Sequence, residues 1–150
     1  MKNRILILIT LSCLTFFPGM GQELIGQSAD SVRSLVKLNF PGFTENTTSI
    51  NNVYKYLKFE DQEGLQTLLV FLSDTDTCKF YKRICDYELL KFMITSLDNK
   101  YEKADSLWSY NIGERYFRKE LKKKDWFFTI TTRPYTKNEP QKEVKNKDIL

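Results

Sequence analysis

Apolar residues recur with two different periods between residues 28 and 133. A period of about 3.6 residues predicts one helix over 29–39, with Ser28 as its N-cap, and a second over 87–102, with Asp86 as its N-cap. A period of two residues predicts strands. Segment 77–86 fits both periods, but its alternation of aromatic and basic residues favours a strand. The other predicted strands are 53–59, 65–72, 107–111, 115–121 and 126–133.

The order and spacing of these segments indicate an α+β domain over residues 22–133. Connections between consecutive strands are short. We therefore expect a single domain with a twisted antiparallel sheet of five to six strands and two helices packed on one face, in the order α-β-β-(β)-α-β-β-β. Segment 65–72 is almost continuously apolar, which is typical of a strand covered on both faces. Residues 134–150 are polar and charged, and we expect a disordered tail there.

Two further segments lack an apolar period and are predicted to be surface loops, residues 44–52 and 103–106. Residues 28–85 and 86–133 share a coarse plan of one helix followed by several strands. Their residues do not match position by position, so the sequence does not establish a repeat.

The N-terminus has the parts of a secretory signal peptide. Lys2 and Arg4 supply a positive start, and residues 5–17 are almost uninterruptedly apolar. Gly19 and Gly21 are the small residues that signal peptidase requires just before its cut. We therefore predict a signal peptide over residues 1–21, cleavage after Gly21, and a periplasmic or secreted protein.

Two other interpretations of this segment are disfavoured. Its apolar run of 13 residues is shorter than the roughly 20 residues that span a bilayer core, so the sequence predicts no transmembrane helix in the mature chain. Lipidation of Cys13 is disfavoured because the three preceding residues, 10–12, match lipoprotein signals poorly.

The composition then removes several classes of function. The chain has no histidine, which excludes a Ser-His-Asp or Cys-His nucleophile and any His-liganded metal. The formal charge is +4, and loss of residues 1–21, which hold two basic and no acidic residues, leaves +2. A charge this close to balance gives no reason to expect nucleic-acid binding. Nothing in the sequence calls for a cofactor or a metal ion.

The predicted mature chain keeps two cysteines, Cys78 and Cys85, in an oxidising compartment, and they are a candidate disulfide. Residues seven apart lie about 10 Å apart along a helix and over 20 Å apart along a strand. A disulfide needs Cα atoms within roughly 7 Å, so a bridge would require a turn between the two residues. The alternative is a pair of buried thiols in a β-rich core.

Aromatic residues make up 14 % of the chain, and they suggest a contact surface. Large rings in a β-rich core would produce the same composition. Residues 115–124 hold six basic residues, which we interpret as a solvated sheet edge or turn; contact with an anionic envelope surface is the alternative. The candidate partner-binding residues are Tyr54, Tyr56, Lys58, Trp108, Tyr110 and Tyr116.

These features predict an exported small envelope protein that acts as a non-catalytic protein-binding or interaction module, with an unidentified protein partner. Two alternatives stay open. A carboxylate-based envelope hydrolase would use Asp74 or Glu88, and a small-ligand-binding protein would use a cleft between sheet and helices. No catalytic or metal-ligating residue is assigned, because Asp74 and Asp76 are explained as turn residues and caps.

Four segments resemble small exported proteins of the Bacteroidetes that have no described function. The resemblance covers roughly residues 28–133 and implies export, but it brings no catalytic residues. Asp30-Ser31-Val32 and Asp105-Ser106-Leu107 are also similar to the acceptor motif for O-glycosylation in that phylum. The resembling segments are Tyr54-Lys55-Tyr56-Leu57-Lys58, Thr67-Leu68-Leu69-Val70-Phe71-Leu72-Ser73, Cys85-Asp86-Tyr87 and Trp126-Phe127-Phe128-Thr129.

Overall fold

A computed structural model describes residues 23–47 and 54–136 of the chain. The predicted signal peptide, its cleavage point and most of the predicted tail lie outside these residues. The described elements, in chain order, are α1 (Ala29–Asn39), β1 (Phe43–Glu45), β2 (Tyr56–Asp61), β3 (Gln66–Leu72), β4 (Cys78–Asp86), a 3₁₀ turn (Tyr87–Leu89), α2 (Leu90–Lys100), β5 (Glu102–Ala104), β6 (Leu107–Ile112), β7 (Arg115–Lys123) and β8 (Phe127–Tyr135).

The strands form one antiparallel sheet in the order β1-β2-β3-β4-β8-β7-β6-β5. The α+β class and the antiparallel sheet are confirmed, but the prediction of five to six strands was wrong because the described sheet has eight. The prediction missed β1 and β5, which have three residues each and form the two edges. Strands this short carry no periodic signal, and pairing with β2 and β6 defines them.

The element order divides the domain into two units with the same plan. Each unit is a helix followed by a meander of four strands, and β4 of the first unit pairs with β8 of the second. Across the β4–β8 pair, the strands of the first unit follow chain order, β1 to β4, and those of the second unit follow the reverse order, β8 to β5. The coarse similarity of residues 28–85 and 86–133 corresponds to this architecture, although different residues build each half.

The first helix begins as the sequence predicts, and the second begins three residues later than predicted. The Ser28 hydroxyl accepts a hydrogen bond from the backbone N–H of Ser31 and caps α1. The Asp86 carboxylate accepts one from the N–H of Glu88, but it caps the 3₁₀ turn rather than a single long helix, and α2 follows from Leu90. None of the helices in the described part of the chain has the length and apolar content that crossing a bilayer would require.

Each helix covers its own half of the sheet with its own apolar cluster, rather than sharing one packed layer. Both clusters nevertheless lie on one face, which we call the covered face. Leu68 of the first cluster pairs with Arg83, and Cys85 of the second cluster lies two residues further along the same strand, so these side chains project to the same side. The first cluster is built on Val32, Leu35, Val36, Leu57, Phe59, Leu68 and Val70, and the second on Met93, Leu97, Trp108, Phe128 and Ile130.

The opposite face of the sheet carries no helix from the described residues, and we call it the open face. The prediction that segment 65–72 is covered on both sides was therefore wrong. Leu68 and Val70 are fully buried against the first helix. Leu69 and Phe71 project from the open face and are only partly buried, by neighbouring strands.

The two cysteines lie on one strand, β4, and both are free and buried. A strand advances about 3.3 Å per residue, so Cys78 and Cys85 are too far apart to bond. The candidate disulfide is replaced by its alternative, two buried thiols. Burial raises the pKa of Cys78 to about 12 and that of Cys85 to about 11.

The segment before α1 packs into the domain. Leu24 and Ile25 are buried in the first apolar cluster. The backbone N–H of Gly26 donates to the Cys78 carbonyl, and the N–H of Cys78 donates to the Gln27 carbonyl, both at 2.8 Å. At the other end, β8 continues to Tyr135, two residues past the predicted domain boundary, because Tyr135 pairs with Tyr116 of β7.

Candidate functional site

The open face presents three rows of side chains that cross five neighbouring strands. Residues that pair across strands place their side chains beside each other on the same face, so the register defines each row. From β2 to β7, the second row holds Lys58, Leu69, Lys82, Thr131 and Glu120, and the third holds Glu60, Thr67, Ile84, Thr129 and Lys122. The first row holds Tyr56, Phe71 and Phe80, and it continues with Arg133 and Arg118 one position beyond the last β4–β8 pair, Tyr81–Thr132.

Four aromatic rings are in contact at one end of these rows. Phe71 stacks on Phe80 with ring centroids 4.4 Å apart, and Tyr56 lies 6.0 Å from Phe71. Tyr54, which is 62 % exposed, meets Phe71 edge to face at 6.5 Å. We call these four residues the aromatic patch (Tyr54, Tyr56, Phe71 and Phe80). Arg133 and Arg118 follow it in the first row, and aromatic residues and arginine are enriched in protein interfaces.

The charged residues of the open face are mostly basic. The three rows contain five basic residues and two glutamates. Glu120 pairs with Lys122 at 3.2 Å and with Arg133 at 3.0 Å, and Glu60 pairs with Lys58 at 2.6 Å. Burial lowers the pKa of Lys82, and the nearby Lys122, Arg133 and Lys124 lower it further. The face therefore offers a positive field to an approaching surface.

The structure divides the predicted partner-binding residues between the two faces. Tyr54, Tyr56, Lys58 and Tyr116 belong to the open face, and Tyr116 lies 6.0 Å from the ring of Tyr135. Trp108 and Tyr110 lie on the covered face instead. Trp108 is 2 % exposed and donates its indole N–H to Asp98 at 2.8 Å. Both residues are part of the packing under the helices.

Sequence reasoning missed the remaining members of the first row, Phe71, Phe80, Arg118 and Arg133. Alternation shows which residues of a strand share a face, but only strand order brings β8 beside β4. Phe71 belongs to the apolar run of residues 65–72, where the sequence does not distinguish the residues of one face from those of the other.

A buried polar cluster lies on the covered face, and the sequence analysis missed it as well. Lys119 is 8 % exposed and donates to the hydroxyls of Tyr81 at 3.1 Å and Thr132 at 3.0 Å. Its ammonium also lies 5.1 to 5.4 Å from the rings of three tyrosines. Tyr110, one of the three, donates its hydroxyl to the carboxylate of Glu23. These residues hold a charge inside the domain.

Desolvation is the main cause of the pKa shifts in this cluster. It lowers the pKa of Lys119 to about 8, while the charge of Glu23 raises it and the charges of Arg83 and Lys100 lower it. Desolvation also raises the pKa values of Tyr81 and Tyr110, so both hydroxyls stay protonated and can donate. The period of two in Phe117, Lys119 and Leu121 was the signal that could have placed this lysine in the core.

A charged cleft of about 350 Å³ lies where α1 begins, beside β2 and the end of β3. Its cations already have partners: Arg33 contacts Asp30 at 3.0 Å, and Lys55 contacts Asp76 at 2.6 Å. This is the position of the predicted sheet–helix cleft. Its lining is mainly polar, whereas small-molecule sites are mainly apolar.

The carboxylates considered for catalysis are separated. Asp74 and Asp76 lie in the turn between β3 and β4, and Asp76 has the positive φ of 57° that such a turn residue adopts. Glu88 lies at the far end of β4, in the 3₁₀ turn. No group of metal-ligating side chains occurs among residues 23–47 and 54–136.

Comparison of the chain with protein-family models, with curated proteins and with solved structures found no match. The function is therefore inferred from the geometry of the open face.

Proposed function

We propose that this protein is an exported, non-catalytic binding module that holds a partner protein on the open face of its sheet. The observation that supports this most is the first row of that face, where three rings adjoin Arg133 and Arg118. Tyrosine and arginine are the residues most enriched among those that dominate binding energy. The predicted signal peptide supports a location outside the cytoplasm.

The dimensions of the face also support this function. Eight strands spaced about 4.8 Å apart extend roughly 35 Å across the sheet. The six longer strands have six to nine residues, or about 20–30 Å each. Their face is therefore on the order of the 800 Å² that a standard interface takes from each partner. The basic rows favour a partner whose contacting surface is acidic.

Site-specific photocrosslinking in an envelope extract of the source organism tests the proposal. A benzophenone amino acid replaces Phe71 on the open face or, as a matched control, Phe92, which is 70 % exposed on α2. We expect a crosslinked partner from position 71 and none from position 92. Crosslinks from both positions, or from neither, would contradict the proposal.

Two substitutions show whether the crosslinked partner uses the first row. Tyr56→Ala and Arg133→Ala should each lower its recovery by about tenfold or more, because residues of this type carry a large share of interface energy. Lys79→Ala, at the exposed start of β4, is the control and should leave recovery unchanged. Unchanged recovery for all three variants would place the contact elsewhere.

A further inference from the structure

The turn between β7 and β8 carries an unusual exposed surface, which we call the hairpin tip (residues 122–127). Trp126 is 85 % exposed and Phe127 is 37 % exposed. The turn has a defined position, because the N–H of Lys124 donates to the Phe127 carbonyl at 2.8 Å and the Tyr87 hydroxyl donates to the Lys124 carbonyl. An indole is thus held in solvent at the end of a well-paired hairpin.

The charges around this indole are basic. The hairpin tip contains Lys122, Lys123 and Lys124 against the single carboxylate of Asp125. Lys82 of β4 adds to the same positive region, since Lys122 and Lys124 both lower its pKa. Trp126 therefore follows closely after three consecutive lysines in the same turn.

The structure removes one explanation of this basic run. Lysines protect exposed sheet edges from pairing, and from the sequence we interpreted residues 115–124 as a solvated sheet edge or turn. Residues 115–123 of the run form β7, which pairs with β6 on one side and with β8 on the other, and Lys124 lies in the turn that follows. Edge protection therefore does not explain these lysines.

We propose that the hairpin tip is a contact site for an anionic lipid surface. Trp126 and Phe127 enter the interfacial zone of the bilayer, where amphipathic rings are most stable, and Lys123 and Lys124 meet lipid phosphates. A lipid surface fits better than a protein partner because the tip has only six residues, too few for a standard protein interface. Lys122 and Lys82 also belong to the open face, but the proposal does not depend on a partner protein binding there.

Vesicle binding tests this inference with the full chain as its host produces it. The vesicles contain equimolar phosphatidylcholine and phosphatidylglycerol, and brominated phosphatidylcholine serves as the quencher. We expect the fluorescence of Trp126 to shift to the blue and to be quenched, while the buried Trp108 is unaffected. Trp126→Phe should remove this quenched emission, and pure phosphatidylcholine vesicles should bind weakly.

The lysines give a second, independent measurement. Lys123→Ala with Lys124→Ala should weaken vesicle binding roughly 30-fold at low salt, because each lysine near an anionic surface contributes about fivefold. Lys79→Ala with Lys100→Ala removes the same charge from exposed positions elsewhere and should change binding much less.

Three results would overturn the proposal. Trp126 emission that is unaffected by anionic brominated vesicles would show that the hairpin tip does not enter the bilayer. Equal losses of vesicle binding for the two double variants would show that binding depends on the net charge of the protein and not on the hairpin tip. Vesicle binding that survives Trp126→Phe and both lysine substitutions would come from another segment, such as the apolar residues 5–17.

Discussion

The two faces of the sheet differ although the same strands build both. Leu68 and Leu69 are neighbours on β3, yet Leu68 is fully buried under α1 and Leu69 projects from the open face. The covered face holds aliphatic and aromatic packing around the Lys119 cluster, and the open face holds rings, threonines and charges. The comparison shows that the apolar character of a residue does not by itself place it in the core of this domain. Substitutions on the two faces should therefore have effects of different size.

The pair Leu68 and Leu69 gives the largest expected difference. Leu68→Ala should lower the free energy of unfolding by about 2–5 kcal/mol, because it leaves a cavity in a fully packed cluster. Leu69→Ala should cost about 1 kcal/mol or less, because one side of Leu69 already meets solvent. Urea unfolding followed by circular dichroism measures both values with the same probe.

The result also checks the assignment of the faces. Equal urea midpoints for the two variants would show that Leu69 is packed as tightly as Leu68, and the assignment of the faces would then be wrong. Leu97→Ala, in the second cluster, provides a control, and it should resemble Leu68→Ala because Leu97 is 8 % exposed on the buried side of α2.

The sequence predicts the local features of this fold well. The bounds of α1 follow from the Ser28 cap and from a stripe of apolar residues at helical spacing. The face of Leu57 and Phe59 on β2 follows from strict alternation. These signals depend on neighbouring residues alone, so one sequence is enough to find them.

The remaining features depend on contacts between distant residues. The edge strands β1 and β5 exist because longer strands pair with them. Trp108 was predicted for a contact surface because a large aromatic suits either face, and only the position of α2 makes it core. Four residues of the open face were predictable, namely Tyr54, Tyr56, Lys58 and Tyr116. The arginines Arg118 and Arg133 required the pairing of β7 with β8.

The polar cluster of the covered face predicts an unusual pH dependence. The pKa of Lys119 is lowered from 10.5 to about 8 in the folded protein. Between these values the unfolded chain keeps the proton that the folded chain has lost, so stability from this group rises with pH. Between pH 7 and 9 the gain should be about 1 kcal/mol, and below pH 7 the charged lysine exerts its full cost.

Lys119→Met removes the titrating ammonium group, and therefore its contribution to the pH dependence of stability, while it keeps the approximate volume of the side chain. The difference in unfolding free energy between wild type and variant should therefore change with pH, while the titrations of Cys78, Cys85 and the tyrosines cancel because both proteins contain them. Urea unfolding at a series of pH values measures this difference. A constant difference from pH 7 to 9 would show that Lys119 keeps its ordinary pKa in the fold.

The charges of the open face should give the smallest effect. Glu120 lies between Lys122 and Arg133, with its side chain 18 % exposed. Glu120→Gln should lower the free energy of unfolding by roughly 0.5–1 kcal/mol at low salt and by less at high salt, because exposed ion pairs are weak and screened. Urea midpoints at two salt concentrations measure this effect, and Glu60→Gln on β2, which removes the partner of Lys58, is the comparison elsewhere on the open face. If Glu120→Gln costs as much as Leu68→Ala, the open face stabilises the fold, and its charges are not available for a partner.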